Sequence, residues 1–307
     1  MNPSPSPFDT FVVQGSHSDT VHDFPVPVFP PNPSTSPRPT HGPSASWTES
    51  SLASWIPPAT TSVWGLDFAC LTMDQTIESI EGLIRRRMAC QVITANLNYI
   101  MLCEQEPRLM EVTRRSPLKL CDGMPIYWRS RCTERPLPER VAGSDLIFRL
   151  CERASLRSYR VFFLGASEGV AQAAADRLKE RYPGLHVAGV LCPPFRVWSE
   201  DEVSAMCKTV RDAQTDLLFV AFGQPKGELW IEDHLDQLGH AVCIQLGASF
   251  DFVAGNSVRA PKWMQKLGLE WLHRSLKDPR RLVPRYLKNL YCLMKKIRQD
   301  LLQATQS

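Results

Sequence analysis

The sequence has no stretch of about 18 uninterrupted apolar residues, the length that a membrane-spanning helix needs. It also has no basic start followed by an apolar run, so a secretory signal is not indicated. Its ten cysteines include no CxxC pair, which predicts neither a zinc ribbon nor a disulfide framework. These absences predict a cytoplasmic protein with reduced, buried thiols that meets a membrane only peripherally.

Nucleotide-binding signatures are missing as well. The chain contains neither GxGxxG nor GxxxxGK[ST], and no acid stands about 20 residues beyond such a motif. A NAD-dependent oxidoreductase is therefore disfavoured. The sequence also has no DxD, so a metal-held nucleotide sugar is not indicated.

Composition divides the 307 residues into three segments. Residues 1–60 hold 13 of the 25 prolines and many Ser and Thr, and such a segment cannot repay the entropy of ordering a packed core. We expect a disordered Pro/Ser-rich leader there. Over residues 61–270, apolar runs alternate with helical patterns of about 12 residues, which predicts an α/β domain with a largely parallel sheet and flanking helices. Residues 271–307 are expected to form a basic helical appendage.

The positive charge lies in this appendage. Residues 274–298 carry nine basic residues and one acid, a net charge of +8, whereas the whole chain carries +3. The pattern is typical of a helix on an anionic membrane surface, although a terminal helix docked on the core with a solvated basic face would give it too. The apolar stripe of this helix consists of Val283, Leu287, Leu290, Met294, Ile297 and Leu301.

In parallel sheets, ligands bind beyond the carboxyl ends of the strands. Gly165 follows one apolar run and either lets backbone N–H groups approach an anion or merely makes a tight turn. Asp251 lies between two phenylalanines and is either a buried structural acid or a ligand for a sugar or ribose hydroxyl. The loops that form the candidate site are 94–98, 165–169, 223–228 and 246–255.

Two polar clusters precede helical patterns. In "CDGMPIYW", Asp122 either caps the helix, with Pro125 in the first turn, or accepts a proton from an attacking hydroxyl. In "ERVAGSDL", Ser144 or Asp145 is a candidate cap. Arg140 in the same motif either clamps a diphosphate or forms a surface salt bridge.

Five motifs occur in order between about Val63 and Tyr286: "TANLN", "DGMPIYW", "PERVAGSDL", "FGQPKGELW" and "GASFDFVAGNSVRAPKWMQKLGLEWLHR". Together they resemble the WecG/TagA/CpsF family of bacterial glycosyltransferases. The resemblance implies a Rossmann-like α/β fold and an inverting hexosyltransferase that needs no metal or other cofactor. Such an enzyme moves a sugar from a UDP-sugar to a sugar on undecaprenyl diphosphate.

The resemblance also implies roles for single residues. Asp122 falls on the catalytic base, and Thr94 and Asn96 fall on its conserved neighbours. Gly227 stands where the family's GxPKQE motif has Gln, so a side-chain contact is lost or supplied differently. Substrate binding is expected of Arg140, Gly143, Asp145, Gly165, Gln224, Lys226, Glu228, Asp251, Arg274, Arg281 and Arg285.

The expected partners are a UDP-sugar donor, a polyprenyl-diphosphate-linked acceptor and the anionic inner face of the cell membrane, with no nucleic acid. We expect an N-acetylmannosamine type of donor in the synthesis of a cell-surface polysaccharide. UDP-glucose or UDP-uronic acid donors remain alternatives, and a non-catalytic lipid-surface binding module is an alternative function. Assembly into a homo-oligomer is left open.

Overall fold

The structure is a computed structural model that describes residues 56–277 and 279–304. The side chains of residues 262, 266, 274, 281, 303 and 304 lie outside this description. Apart from residues 56–60, the predicted leader also lies outside the described residues.

The described chain begins with an antiparallel hairpin of β1 (Thr60–Val63) and β2 (Leu66–Ala69). Trp64 and Gly65 at its turn both have positive φ angles, 51° and 84°. A two-residue turn of this kind matches the twist of the flanking strands. The hairpin was not predicted from the sequence. Its buried side chains, such as Leu66 and Phe68, join the apolar cluster beside the central sheet.

The central sheet has six parallel strands, which confirms the predicted α/β class. The strands are β3 (Cys90–Ala95), β4 (Leu118–Cys121), β5 (Arg160–Gly165), β6 (His186–Leu191), β7 (Leu217–Ala221) and β8 (Val242–Gln245). Their order is β4-β3-β8-β7-β5-β6. From β3 the chain adds β4 on one side and then crosses to β5 and β6 at the opposite edge of the sheet. It finally places β7 and β8 between β5 and β3. The direction of the connections thus changes between β3 and β8, and a crevice lies at the carboxyl ends of these two strands.

Helices connect the strands and cover both faces of the sheet. In β5, Val161 and Phe163 point into one apolar cluster, and Phe162 and Leu164 point into another. This alternation buries successive residues on opposite faces, as is usual for parallel strands. The connecting helices are α1 (Met73–Arg85), α2 (Leu97–Gln105), α3 (Pro107–Arg115), α4 (Met124–Ser130), α5 (Gly143–Arg157), α6 (Val170–Arg181), α7 (Glu200–Asp212) and α8 (Lys226–His234).

Four helices follow the last strand: α9 (Ser249–Val253), α10 (Lys262–Lys266), α11 (Glu270–Lys277) and α12 (Pro279–Ala304). Within the described part of the chain, every helix is too short or too polar to cross a bilayer. The predicted apolar stripe of α12 is exposed; Met294 and Leu301, for example, are 56% and 64% exposed.

A different face of α12 docks on the body. Cys292 and Lys296 are buried there, and Lys296 pairs with Glu104 in α2. Near the end of the helix, Asp300 accepts hydrogen bonds from Trp64 Nε1 at 3.0 Å and from Arg129 Nε at 2.7 Å. The helix is thus docked on the core, as predicted for a terminal helix with a solvated basic face. It also exposes the apolar stripe that a helix on an anionic membrane surface requires.

We expect Asp300→Ala to loosen the C-terminal half of α12, because Trp64 and Arg129 lose their shared acceptor. Hydrogen exchange of the α12 amides, followed by mass spectrometry, should become about tenfold faster. The exposed neighbour Gln299 supplies the control, Gln299→Ala, which should leave the exchange rates unchanged. Equal protection of α12 in both variants would show that Asp300 is no anchor.

Candidate active site

A cavity of about 950 Å³ opens at the carboxyl ends of β3, β4 and β8. Its floor is polar and comes from the loops after these strands. Its opposite wall is apolar and comes from α11 and α12, where the rings of Trp271 and Tyr286 lie 5.8 Å apart. The cavity therefore combines a polar end for a charged ligand with an apolar end for a hydrophobic one.

Asp122 lies on the floor, directly after β4. Its backbone N–H donates to Ala95 O at 2.9 Å, which extends the pairing of β4 with β3 by one residue. Its carboxylate Oδ1 accepts from the backbone N–H of Gly143 at 3.3 Å. This places a half-buried carboxylate at the N-terminus of α5, an end that carries partial positive charge.

The alternative role of Asp122 as a helix cap is wrong. The N-cap of α4 is Gly123, without a side-chain cap, and Pro125 lies in the first turn as expected. A Cβ on Gly123 would lie 3.1 Å from Asn96 Cα. The missing side chain thus lets the turn lie against Asn96 and leaves the Asp122 carboxylate to face α5.

Thr94, Asn96 and Gly143 meet around Asp122, as the sequence predicted. Thr94 Oγ1 donates to Gln245 O at 3.4 Å, and Asn96 Oδ1 caps α2 by accepting from the Tyr99 N–H at 3.2 Å. A Cβ on Gly143 would lie 3.0 Å from Leu246 Cδ2, so glycine lets the start of α5 approach the floor without displacing Leu246. All four residues line the cavity.

Arg140 and Asp145 belong to a charged cluster beside the floor. Arg140 Nη1 lies 3.6 Å from Glu270 Oε2, and these side chains are only 17% and 15% exposed, so this is no surface salt bridge. Arg259 contacts Glu270 with Nε, 3.7 Å from Oε1, and holds both carboxylate oxygens of Asp145. Arg140 lines the cavity and is available to a diphosphate through its remaining donors.

Asp145 faces Arg259, and it does not cap the helix. The helix begins at Gly143 with Ala142 as N-cap and no side-chain cap, so the predicted caps Ser144 and Asp145 are both wrong. Burial alone would raise the pKa of Asp145, but the hydrogen bond and charge of Arg259 outweigh it and lower the pKa. A direct contact between Asp145 and the substrate does not fit this pairing.

Of the 223–228 loop, Gln224 reaches the floor. Its Nε2 donates to Thr94 O at 3.4 Å, and the side chain lines the cavity. Glu228 is only 2% exposed and lies in the interior, on the side of Gln224 away from the cavity, where a hydrogen bond links the two side chains. Lys226 is half-buried outside the cavity lining, and burial lowers its pKa. Direct substrate contact by Glu228 therefore does not fit the structure.

The structure does not bring Gly165 and Asp251 to this cavity. Gly165 has a φ of 100°, and a Cβ there would lie 2.8 Å from the Phe222 ring, so a tight turn is the interpretation that fits. Asp251 lies in α9, whose Ser249 and Phe252 line the cavity in its place. Arg285 lines the cavity, and the side chains of Arg274 and Arg281 lie outside the described residues.

Several residues of the cavity and its border were not predicted as site residues from the sequence. Gln245 is the one amide in an otherwise apolar strand and could have been noticed for that reason. Arg259 and Glu270 lie in the last long motif and carry charge, but no spacing rule links them to Arg140. Trp271 and Tyr286 reach the cavity only because α11 and α12 fold back over the strand ends.

The described residues contain no group of three or more His, Cys, Asp or Glu that could hold a metal ion. Metal independence stays a prediction. Each of the ten cysteines has a free thiol; seven are buried, Cys70 and Cys192 are half-buried, and Cys132 is exposed.

Comparisons with known proteins agree with the motifs. The chain matches the glycosyl transferase WecG/TagA/CpsF family over residues 61–306. It is similar to a protein of Bacillus spizizenii strain W23, with 32% identity over 64% of this chain and 76% of the relative. It is also similar to a protein of Staphylococcus aureus strain MW2, with 29% identity over 73% of this chain and 87% of the relative. Both relatives are named N-acetylglucosaminyldiphosphoundecaprenol N-acetyl-beta-D-mannosaminyltransferase.

Glu228 makes the stability of the fold depend on pH. Burial raises the pKa of this carboxyl from 4.5 to about 8, so between these values the folded protein keeps a proton that the unfolded chain has released. Stability should therefore fall as pH rises through this interval. Glu228→Gln removes the proton equilibrium and should stabilise the protein more at about pH 8 than at about pH 5, by roughly 3 kcal/mol in the free energy of unfolding.

Chemical denaturation at the two pH values measures this difference. Glu180→Gln, at an exposed position in α6, is the matched control and should behave like wild type at both. A Glu228→Gln effect that is the same at both pH values would contradict a protonated Glu228.

Proposed function

The chain belongs to the glycosyl transferase WecG/TagA/CpsF family, and from that premise we propose that it moves a sugar from a UDP-sugar to a sugar carried on undecaprenyl diphosphate. The product would serve the synthesis of a cell-surface polysaccharide. One observation supports this proposal above the others. Asp122 lies beside Thr94, Asn96 and the start of α5, at the polar end of a cavity whose other wall is apolar.

In the proposed reaction, the carboxylate of Asp122 takes the proton of an acceptor hydroxyl. The hydroxyl oxygen attacks the anomeric carbon of the donor, and the bond from that carbon to the UDP phosphate breaks on the opposite side. The sugar is therefore transferred with inversion. The negative charge that develops on the departing UDP is stabilised by Arg140 and Arg285, which line the cavity.

The similar proteins support an N-acetylmannosamine donor and an N-acetylglucosamine acceptor, since their names contain both sugars. UDP-glucose and UDP-uronic acid donors are the alternatives within the same chemistry. The cationic groups around the cavity, together with the predicted metal independence, lead us to propose that the reaction needs no divalent ion.

The appendage supports a peripheral position at the inner face of the membrane. Its stripe of exposed apolar residues lies on a helix that also carries exposed basic residues outside the cavity, including Lys288 and Lys295. Such a helix binds anionic lipid surfaces through apolar burial and charge together. Because α11 and α12 also form the apolar wall of the cavity, the same helices would bring the lipid end of the acceptor next to the floor.

Asp122→Asn tests the proposed base. The variant keeps the shape of the side chain but cannot take a proton, so kcat should fall about 10²- to 10⁴-fold with little change in the KM of the donor. UDP release is measured with UDP-N-acetylmannosamine, UDP-glucose and a UDP-uronic acid, each with a polyprenyl-diphosphate-linked N-acetylglucosamine and with or without a chelator.

The exposed Asp67 provides the matched control, Asp67→Asn, which should retain wild-type kcat. If wild type and Asp122→Asn released UDP equally slowly from every donor, the alternative of a non-catalytic lipid-binding module would hold instead. Loss of activity with the chelator would remove the proposal of metal independence.

The double variant Met294→Ser/Leu301→Ser tests membrane docking. It removes apolar side chains that point to solvent, so the fold should be unaffected while binding to vesicles of phosphatidylglycerol and phosphatidylethanolamine weakens about tenfold. Sedimentation with vesicles measures the change. Leu156 in α5 is 75% exposed and gives the control Leu156→Ser. Unchanged sedimentation of the double variant would refute docking through this stripe.

A further inference from the structure

The resemblance described above puts the glutamine of the GxPKQE motif at position 227, where this chain has glycine. The structure shows what fills the space that a side chain at this position would take. Gly227 is buried in the first turn of α8. A Cβ built on it would lie 2.5 Å from Gln245 Cδ and 3.0 Å from Gln245 Cγ. Both distances are too short for carbon atoms that are not bonded to each other. The Gln245 side chain, which comes from the end of β8, therefore occupies the volume that a side chain at 227 would need.

The amide of Gln245 is bonded at both ends. With the amide assigned the orientation that gives both of its atoms a partner, Nε2 donates to Val220 O at 2.7 Å and Oε1 accepts from the backbone N–H of Gly223 at 2.9 Å. Val220 lies in β7 and Gly223 lies in the loop that follows it. The amide thus clips this loop to the end of its own strand, in an interior where the side chain is only 4% exposed. A buried amide with both atoms bonded holds its partners firmly, because a broken bond is not replaced by water.

The clipped loop is part of the cavity floor. Gly223, Gln224 and Gln245 all line the cavity. Gln224 Nε2 donates to Thr94 O, and Thr94 Oγ1 donates to Gln245 O. The contacts form a closed ring from β8 through the loop to β3 and back. A shift of the loop would consequently move Gln224 relative to Thr94, beside the proposed base.

We propose that Gln245 is a positioning residue of the transferase site. The proposal includes an exchange of places: a side-chain amide that position 227 could carry is carried by position 245 in this chain. In this chain the amide enters the floor from β8 and requires glycine in α8. An amide carried at 227 would require a small residue at 245. The proposal rests on the proposed function, since the substrate that the loop positions is the UDP-sugar.

A small set of variants separates these statements. Gln245→Ala removes the clip, and the KM of the UDP-sugar should rise about tenfold with a smaller effect on kcat. Gly227→Ala forces the amide aside and should have a similar effect. Gly227→Gln/Gln245→Ala carries the amide on α8 in place of β8 and should bring kcat/KM back to within about threefold of wild type.

Hydrogen exchange supplies a readout that needs no activity. In Gln245→Ala and Gly227→Ala, exchange of the amides of residues 222–224 should be about tenfold faster, and the double variant should restore protection. Gly82→Ala is the matched control, because Gly82 is another buried helical glycine and its added Cβ would meet only the end of the Arg86 side chain, at 3.1 Å.

The outcomes distinguish this proposal from the proposed function. A wild type that is inactive with every donor, but whose loop exchanges faster in Gln245→Ala, would remove the transferase proposal and keep the clip. An active wild type whose KM and loop exchange are unchanged in Gln245→Ala would overturn the proposal. The single variant Gly227→Gln completes the double-mutant cycle: if its effect on kcat/KM and that of Gln245→Ala simply add in Gly227→Gln/Gln245→Ala, the exchange of places is overturned. If either single variant fails to fold, recovery of folding in Gly227→Gln/Gln245→Ala supports the exchange, and failure to recover counts against it.

Discussion

The site depends on one junction, where the end of β4 continues its pairing with β3 into the turn at Asp122. The N–H of Asp122 bonds to Ala95 O, and the N–H of Val141 bonds to Cys121 O at 2.9 Å. These two backbone bonds fix the carboxylate between the ends of two strands and the start of α5. Because they involve backbone groups buried at a sheet end, they hold the turn independently of the side chain that it carries. The fold thus positions the proposed base before any ligand arrives.

The second constraint comes from the appendage, which contributes structure to the cavity in addition to its charge. One face of α12 is anchored through Lys296 and Asp300, and another helps to form the apolar wall with α11. The apolar stripe spans two regions: Val283, Leu287 and Leu290 line the cavity, whereas Met294, Ile297 and Leu301 lie beyond it and are exposed to solvent. The polar floor and the apolar wall adjoin each other, so one cavity offers neighbouring surfaces to a charged group and to a hydrocarbon group. Burial of the Glu270 carboxylate against Arg140 and Arg259 connects the start of α11 to the polar floor.

Residues adjacent in motifs turned out to have different surroundings. Thr94, Asn96, Asp122 and Gly143 meet as predicted, because each lies near the end of a strand, just beyond a strand, or at the start of a helix at the same edge of the sheet. Asp145 is two residues from Gly143 but turns toward Arg259, and Glu228 is four residues from Gln224 but turns into the core. Gly143 and Asp145 both lie in the first turn of α5, where two residues correspond to a rotation of about 200° around the helix axis. Gln224 precedes α8 and so lies outside the helical periodicity that turns Glu228 into the core. The sequence motif shows which segment reaches the site, and the local backbone decides which side chain does.

The amino-acid sequence by itself determined the alternation of strands and helices, the family, and the position of Asp122 in a loop at the carboxyl ends of the strands. Those properties follow from local periodicity and from motifs that are contiguous in the chain. Only the tertiary structure decided that Gln245 fills the space beside Gly227, that Gly165 makes a turn against Phe222, and that α12 both docks and exposes its stripe. The first two depend on groups far apart in sequence competing for one volume, and close packing lets only one of them occupy it. The third depends on contacts of Lys296 and Asp300 with residues about 170 to 240 positions earlier in the chain.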